Sequence, residues 1–138
     1  MVIGLLALAI VFLPNPIALA APVEQHFRIE ASQFQYTPEA IQVHPGDHVT
    51  IDLVATDVVH GLYIDGYALN VTADPGQTAT LSFVADRAGT FRMRCSVTCG
   101  ALHPFMIGKL NVGSNDLLWR AVGLSMLAVV AGIWVIRR

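Results

Sequence analysis

Three stretches of different texture divide the 138-residue chain. Residues 2–13 and 117–136 are almost wholly apolar, whereas residues 24–113 alternate between apolar and polar positions in short runs. Period-two alternation marks a strand with one face buried. It predicts strands over residues 26–31, 49–53, 78–84, 91–95 and 107–112. Val49, Ile51 and Leu53 fall on one face of the second run. In the fourth, Phe91, Met93 and Cys95 share a face while Arg92 and Arg94 take the other, so Cys95 points inward at a strand end. Turn-forming clusters separate the runs at Pro45-Gly46-Asp47, Asp65-Gly66, Asp74-Pro75-Gly76 and residues 86–89. Nothing between residues 24 and 113 carries a helical period, and neither a repeat nor a second soluble domain is visible. Short strands with regular turns predict an all-β sandwich or barrel.

The apolar ends raise the hydrophobic fraction to 54%. Residues 1–22 read as a signal peptide or an N-terminal anchor. Ala18-Leu19-Ala20 has the small-x-small form of a cleavage site, but no Lys or Arg precedes the apolar run. Pro14 and Pro16 would kink a helix there, which spanning helices tolerate. Either reading exports the middle domain. Residues 117–136 have the length of a bilayer span, roughly 20 residues. Trp119 and Trp134 stand near its ends, where indoles favour the interface. Arg120 is placed to snorkel outward. Arg137 and Arg138 then mark the cytoplasmic side, leaving the domain membrane-anchored on the extracytoplasmic, periplasmic side. The net charge of −2 hides an asymmetry: all ten acidic residues lie between Glu24 and Asp116, with only five basic ones among them. That balance argues against nucleic acid and either suits a cationic partner or simply aids solubility.

Chemistry concentrates in one short segment. The two cysteines of the chain are Cys95 and Cys99, followed by Gly100, His103, Pro104 and Met106. Thiolate, imidazole and thioether are soft or borderline donors, a set that selects copper over harder cations. Gly100 relaxes the backbone after Cys99, and Pro104 stiffens the turn between His103 and Met106. A loop held between two strands is preorganised, and a further ligand from elsewhere would lock it. His26, His44, His48 and His60 are the candidates. His60 suits best, following Val58-Val59 and preceding Gly61, so that its ring would emerge at a strand start. His44 and His48 flank a turn and read as exposed. Three rival chemistries each leave part of the segment unused. A disulfide accounts for the cysteines alone, zinc has little use for Met106, and a mononuclear copper carrier needs only one cysteine.

These residues carry a resemblance. Asp57-Val58-Val59-His60-Gly61, Asp74-Pro75-Gly76, Ala88-Gly89-Thr90-Phe91 and the run Cys95, Cys99, Gly100, His103, Met106 resemble the cupredoxin domain with the binuclear copper centre called CuA. That domain occurs in subunit II of heme-copper cytochrome c oxidases and in nitrous oxide reductase. The resemblance implies a Greek-key cupredoxin sandwich over residues 24–113. It implies two copper ions bridged by Cys95 and Cys99, each ended by one of His60 and His103. Met106 and the Val97 carbonyl would be the weak ligands. Many subunits II carry Glu at the position of Val97, where it helps hold magnesium; Val97 has no carboxylate, so magnesium is doubtful. In this respect the pattern is nearest the B-family oxidases. An anchor C-terminal to the domain also departs from the usual N-terminal anchors. The implied function is a non-catalytic subunit that takes single electrons from a cytochrome c or blue-copper donor. It would pass them to the catalytic subunit of a heme-copper oxidase. The alternative is a stand-alone, membrane-anchored copper-binding or copper-delivery protein outside any oxidase.

Overall fold

A computed structural model describes residues 2–12, 21–113 and 116–137. The described chain forms two units, one made of the strands and one of two helices. The strands are β1 (Glu24–Ser32), β2 (Gln35–Thr37), β3 (Ala40–Val43), β4 (His48–Ala55), β5 (His60–Ile64), β6 (Leu69–Ala73), β7 (Thr78–Val84), β8 (Gly89–Arg94) and β9 (Ile107–Val112). They make a four-stranded sheet in the order β2-β1-β4-β7 and a five-stranded sheet in the order β3-β9-β8-β5-β6. The chain crosses repeatedly from one sheet to the other, so neighbours are mostly not consecutive in sequence. β1–β4 and β3–β9 pair in parallel and the remaining pairs are antiparallel.

The alternation places the core. Ile29, Ile51 and Leu53 from one sheet and Leu62, Ile64, Met93 and Leu110 from the other are all fully buried. Each such side chain contributes roughly 1.5–3 kcal/mol by leaving water. On β8, Met93 is buried and Arg92 and Arg94 are exposed, as the alternation requires. Two of the expected strands, 78–84 and 107–112, coincide with β7 and β9. All four expected turns fall between strands, apart from Gly89, which opens β8.

The start of β5 at His60 was expected, but its extent, and the strands β2, β3 and β6, were not, for two reasons. β5 buries four of its five residues, so it has no wet face to create an alternation. β2, β3 and β6 have only three, four and five residues, too few for a period to stand out.

Two polar residues are fully buried among those described, Asp47 and His60. Asp47 closes the β3–β4 turn. Its carboxylate accepts the backbone N–H groups of Val23 at 3.1 Å and His44 at 2.8 Å. Burial alone would raise its pKa, but these hydrogen bonds, with the nearby His44 ring, outweigh burial and hold it below the ordinary carboxylate value.

In the second unit, helix α1 covers Val2–Phe12 and helix α2 covers Asp116–Ile136. Leu118–Ile136 has a mean hydropathy of 1.8 and is not buried in the molecule, which makes it long and apolar enough to cross a membrane. Within it, the Ser125 hydroxyl donates to the Ala121 carbonyl at 2.8 Å, satisfying that polar side chain inside the helix. The Arg120 guanidinium reaches the carbonyl of Ile10 on α1 instead of extending freely. Pro14, Pro16 and the Ala18-Leu19-Ala20 cleavage motif lie outside the described residues, as does Arg138.

Candidate metal centre

The segment between β8 and β9 folds back on itself. The Cys95 N–H donates to the Met106 carbonyl at 3.2 Å, pinning the two ends of the loop together. A 3-10 turn at His103–Phe105 reverses the chain, with Pro104 inside it. The turn is held by the N–H groups of His103, Phe105 and Met106 donating to Gly100, Leu102 and His103. Gly100 sits at φ +138°, and a Cβ there would lie 2.9 Å from the Phe34 ring, so only glycine fits. Gly61 at the start of β5 is constrained from the other side: a Cβ would collide with the Ser96 hydroxyl. The bare backbone lets β5 and the loop approach closely, bringing His60 to the cysteines.

The resulting cluster is dense in soft donors. Cys95 and Cys99 are free thiols, each only 4% exposed, with their sulfurs 3.7 Å apart. The Cys99 sulfur lies 3.7 Å from His103 Nδ1 and 3.8 Å from the buried Met106 thioether. The Cys95 thiol donates to the Val97 carbonyl at 3.2 Å, so that oxygen also faces the cluster. A ring nitrogen of His60 and the two sulfurs fall within 4.8 Å of one another. All six residues expected at the site, His60, Cys95, Val97, Cys99, His103 and Met106, therefore lie together, each with an atom within 4.8 Å of a cysteine sulfur.

His60 is informative in itself. Its ring is fully buried and Nε2 lies 2.7 Å from Asp57 Oδ1, but Nδ1 has no partner. An unsatisfied buried nitrogen costs about 1–3 kcal/mol. A bound cation would relieve that cost. The donor chemistry fits the same ion: two thiols, a thioether, two imidazoles and a carbonyl match a soft or borderline metal and poorly suit magnesium or calcium. The other histidines go elsewhere. His26 pairs with Asp52 at 2.9 Å on an exposed strand face, His44 stands 3.6 Å from Asp47, and His48 is exposed on β4.

The surroundings tune these groups. Burial, then the hydrogen bond and charge of Cys95, pushes the Cys99 thiol above its ordinary pKa. Metal uptake must therefore displace a proton from sulfur. Tyr36 on β2 is buried beside the cluster and donates to the Gly61 carbonyl at 2.6 Å. Burial, and then Cys95, pushes its phenol far up, which keeps it a neutral donor. Asp57 accepts the backbone N–H of Gln33 at 2.8 Å as well as His60 and Val58. Burial opposes its ionisation, but those hydrogen bonds win and lower its pKa.

In the sequence, Asp57 stands out only as part of a motif, and nothing there gives a role to Tyr36 or Gln33. For Asp57 the i, i+3 spacing to His60 was an available signal. Tyr36 and Gln33 reach the site through pairing of β1 with β2, which one sequence does not disclose.

Comparison with known proteins supports the same assignment. The family described as "Cytochrome C oxidase subunit II, periplasmic domain" matches residues 22–112. The chain is 33% identical over 82 residues to cytochrome c oxidase subunit 2 of Thermus thermophilus, covering 59% of this chain and 61% of that protein. It is 32% identical over 89 residues to nitrous-oxide reductase of Ralstonia nicotianae, covering 62% of this chain and 14% of that protein. A cryo-EM structure of a heme-copper terminal oxidase dimer contains a chain that superposes with a TM-score of 0.58 at 28% identity, over 64% of each chain. The protein thus spans less than two thirds of the length of each. Fold, cluster and match agree: the chain belongs to the cytochrome c oxidase subunit II family, through a CuA-type cupredoxin domain.

Proposed function

We propose that this protein is the electron-entry subunit of a heme-copper oxidase and that its loop holds two copper ions. The observation that carries the reading is the buried donor set around Cys99, completed by the unpartnered Nδ1 of His60. Cys95, Cys99, His60, His103, Met106 and the Val97 carbonyl would hold the copper. Copper held there would supply one-electron transfer, with the charge change shared between the ions.

The protein's own residues do the rest. Asp57 holds Nε2 of His60 and so directs Nδ1 inward. Met93 and Leu62 are fully buried in the same core as Cys95, Cys99 and Met106, which keeps water out of it. The two pinned ends of the loop limit how far its ligands can move when charge changes. His103 is the half-buried donor, and its neighbours Leu102 and Phe105 are 51% and 75% exposed. That apolar rim is where a cytochrome c or blue-copper donor would approach. Helix α2 would anchor the domain, with Arg137 on the cytoplasmic side and the acidic domain outside. Val97 would offer copper its carbonyl and has no carboxylate for magnesium.

The test is copper content and spectroscopy of the purified protein. Two coppers per chain with the unpaired electron shared by both nuclei are expected; a single copper would overturn the binuclear reading. Membership of an oxidase is tested separately by isolation from native membranes, where a haem-containing partner should co-purify. Recovery without one would favour the stand-alone copper protein, though burial of both cysteines and Met106 suits retention of metal better than its delivery.

A further inference from the structure

The turn joining β1 to β2 carries none of the expected ligands, yet it touches both sides of the metal cluster. Gln33 stands at its tip. Its backbone N–H donates to Oδ2 of Asp57 at 2.8 Å, and the other oxygen of that carboxylate holds His60 at 2.7 Å. Its side-chain amide donates to the Cys99 carbonyl at 2.6 Å, 66 residues along the chain. One residue is therefore bonded to the support of His60 and to the backbone of Cys99. The next residue, Phe34, packs its ring over Gly100, where a Cβ would lie 2.9 Å from the ring and 3.1 Å from the Gln33 amide nitrogen.

This arrangement has a mechanical consequence. His60 comes from β5 and Cys99 from the β8–β9 loop, so no local backbone geometry fixes their separation. The donors on the loop are tied to each other by its turn, but the loop as a whole is tied to the His60 side by few groups. The Gly61–Ser96 approach is one such tie and Gln33 is another. We propose that Gln33 is a positioning residue of the metal centre, its side-chain amide clasping the Cys99 carbonyl so that the loop stays in register with His60. The effect on the metal rests on the copper reading above; the effect on the loop does not.

Two substitutions separate clasping from simple packing. Gln33→Leu keeps bulk and removes the donor. Gln33→Glu is closer in shape but places a carboxylate oxygen against the Cys99 carbonyl, an acceptor facing an acceptor. The first readout is hydrogen exchange at the His103 amide in the metal-free full chain in detergent, an amide that reports whether the loop is closed. Exchange should quicken about fivefold in Gln33→Leu, the population change carried by one ordinary hydrogen bond, and further in Gln33→Glu. The second readout is the copper-loaded chain. Copper per chain should be unchanged, while the reduction potential and copper hyperfine couplings shift in the same order, with Glu displaced more than Leu. Wild-type behaviour in both variants would overturn the proposal. So would a larger perturbation by Leu than by Glu, which is the signature of lost shape instead of a lost donor. If the wild-type chain takes up no copper, the functional reading fails, and the exchange rates still decide whether Gln33 holds the loop.

Discussion

Asp47 and His60 are both polar, both fully buried, and lie in different parts of the same sandwich. Asp47 has its carboxylate filled by the N–H groups of Val23 and His44. His60 has one nitrogen filled by Asp57 and the other left bare. The difference separates two uses of a buried polar group. A saturated one stabilises the fold, because breaking it strands its partners. A half-saturated one costs stability in the free protein and keeps a place for a ligand.

The comparison is broken most directly by His60→Leu. Copper binding should be lost or reduced to a single ion, measured by copper content and loss of the shared-electron spectrum. The metal-free protein sheds an orphaned nitrogen but also loses the hydrogen bond to Asp57, so its stability to denaturant should change little. A variant that keeps two coppers would remove His60 from the site. A large loss of stability in the metal-free form would mean that the Asp57 hydrogen bond outweighs the cost of the bare nitrogen.

Asp47→Ala should behave in the opposite way. Two backbone donors lose a charged acceptor, and hydrogen bonds to charged groups are worth roughly 1.5–3 kcal/mol each. A destabilisation of about 3 kcal/mol is expected in denaturant unfolding of the metal-free domain, with copper uptake retained. The pH dependence follows from the sign of the shift. The folded-state pKa of Asp47 is lowered, so its contribution is fully present above the unfolded value of about 3.9 and is lost as pH falls through the lower folded value. Wild-type stability should therefore decline below about pH 4, and Asp47→Asn should flatten that decline. An identical acid profile in Asp47→Asn would place the sensitivity in other carboxylates.

The two residues were not equally legible. The spacing of Cys95, Cys99, His103 and Met106 exposed the centre because four donors lie within twelve residues, and strand parity correctly turned Cys95 inward. His60 was legible through its place before Gly61, and β5 begins there. Asp47 gave no such signal: it reads as an ordinary turn residue in Pro45-Gly46-Asp47, and only the fold shows Val23 arriving to fill its second oxygen. The long regular strands β4, β7 and β9 could be seen because they have a wet and a dry face, whereas β5 is covered on both. Gln33 and Tyr36 escaped for a related reason. Their roles depend on which strands pair, a long-range property that alternation along one chain does not encode.

Met106 sharpens the contrast further, since it is a ligand candidate that is also core. Its side chain is fully buried and its sulfur lies 3.8 Å from Cys99. Met106→Leu conserves volume, so its cost in stability should stay below about 1.5 kcal/mol. Both coppers should remain while the reduction potential shifts, as expected if Met106 holds copper only weakly. Loss of all metal would show that Met106 holds copper more strongly than that role allows.

The smallest effect should come from salt, which reaches neither buried group. The segment from Glu24 to Asp116 carries ten acidic residues against five basic ones, and Asp65 is already spent on Arg92 and Arg94 at 2.9 Å each. The excess leaves a negative field that would draw a basic donor toward the domain. Screening shortens from about 10 Å at 0.1 M salt to about 3 Å at 1 M. Electron entry from a basic donor should therefore slow about tenfold over that range, the lower end of what steering supplies. Copper content and the spectrum should not change, because the site is sealed by apolar contacts. The residual rate at high salt would belong to the exposed rim of Leu102 and Phe105, and Phe105→Ala should lower it further. A rate indifferent to salt but sensitive to Phe105→Ala would assign docking to the apolar rim alone and take the acidic surface out of the mechanism.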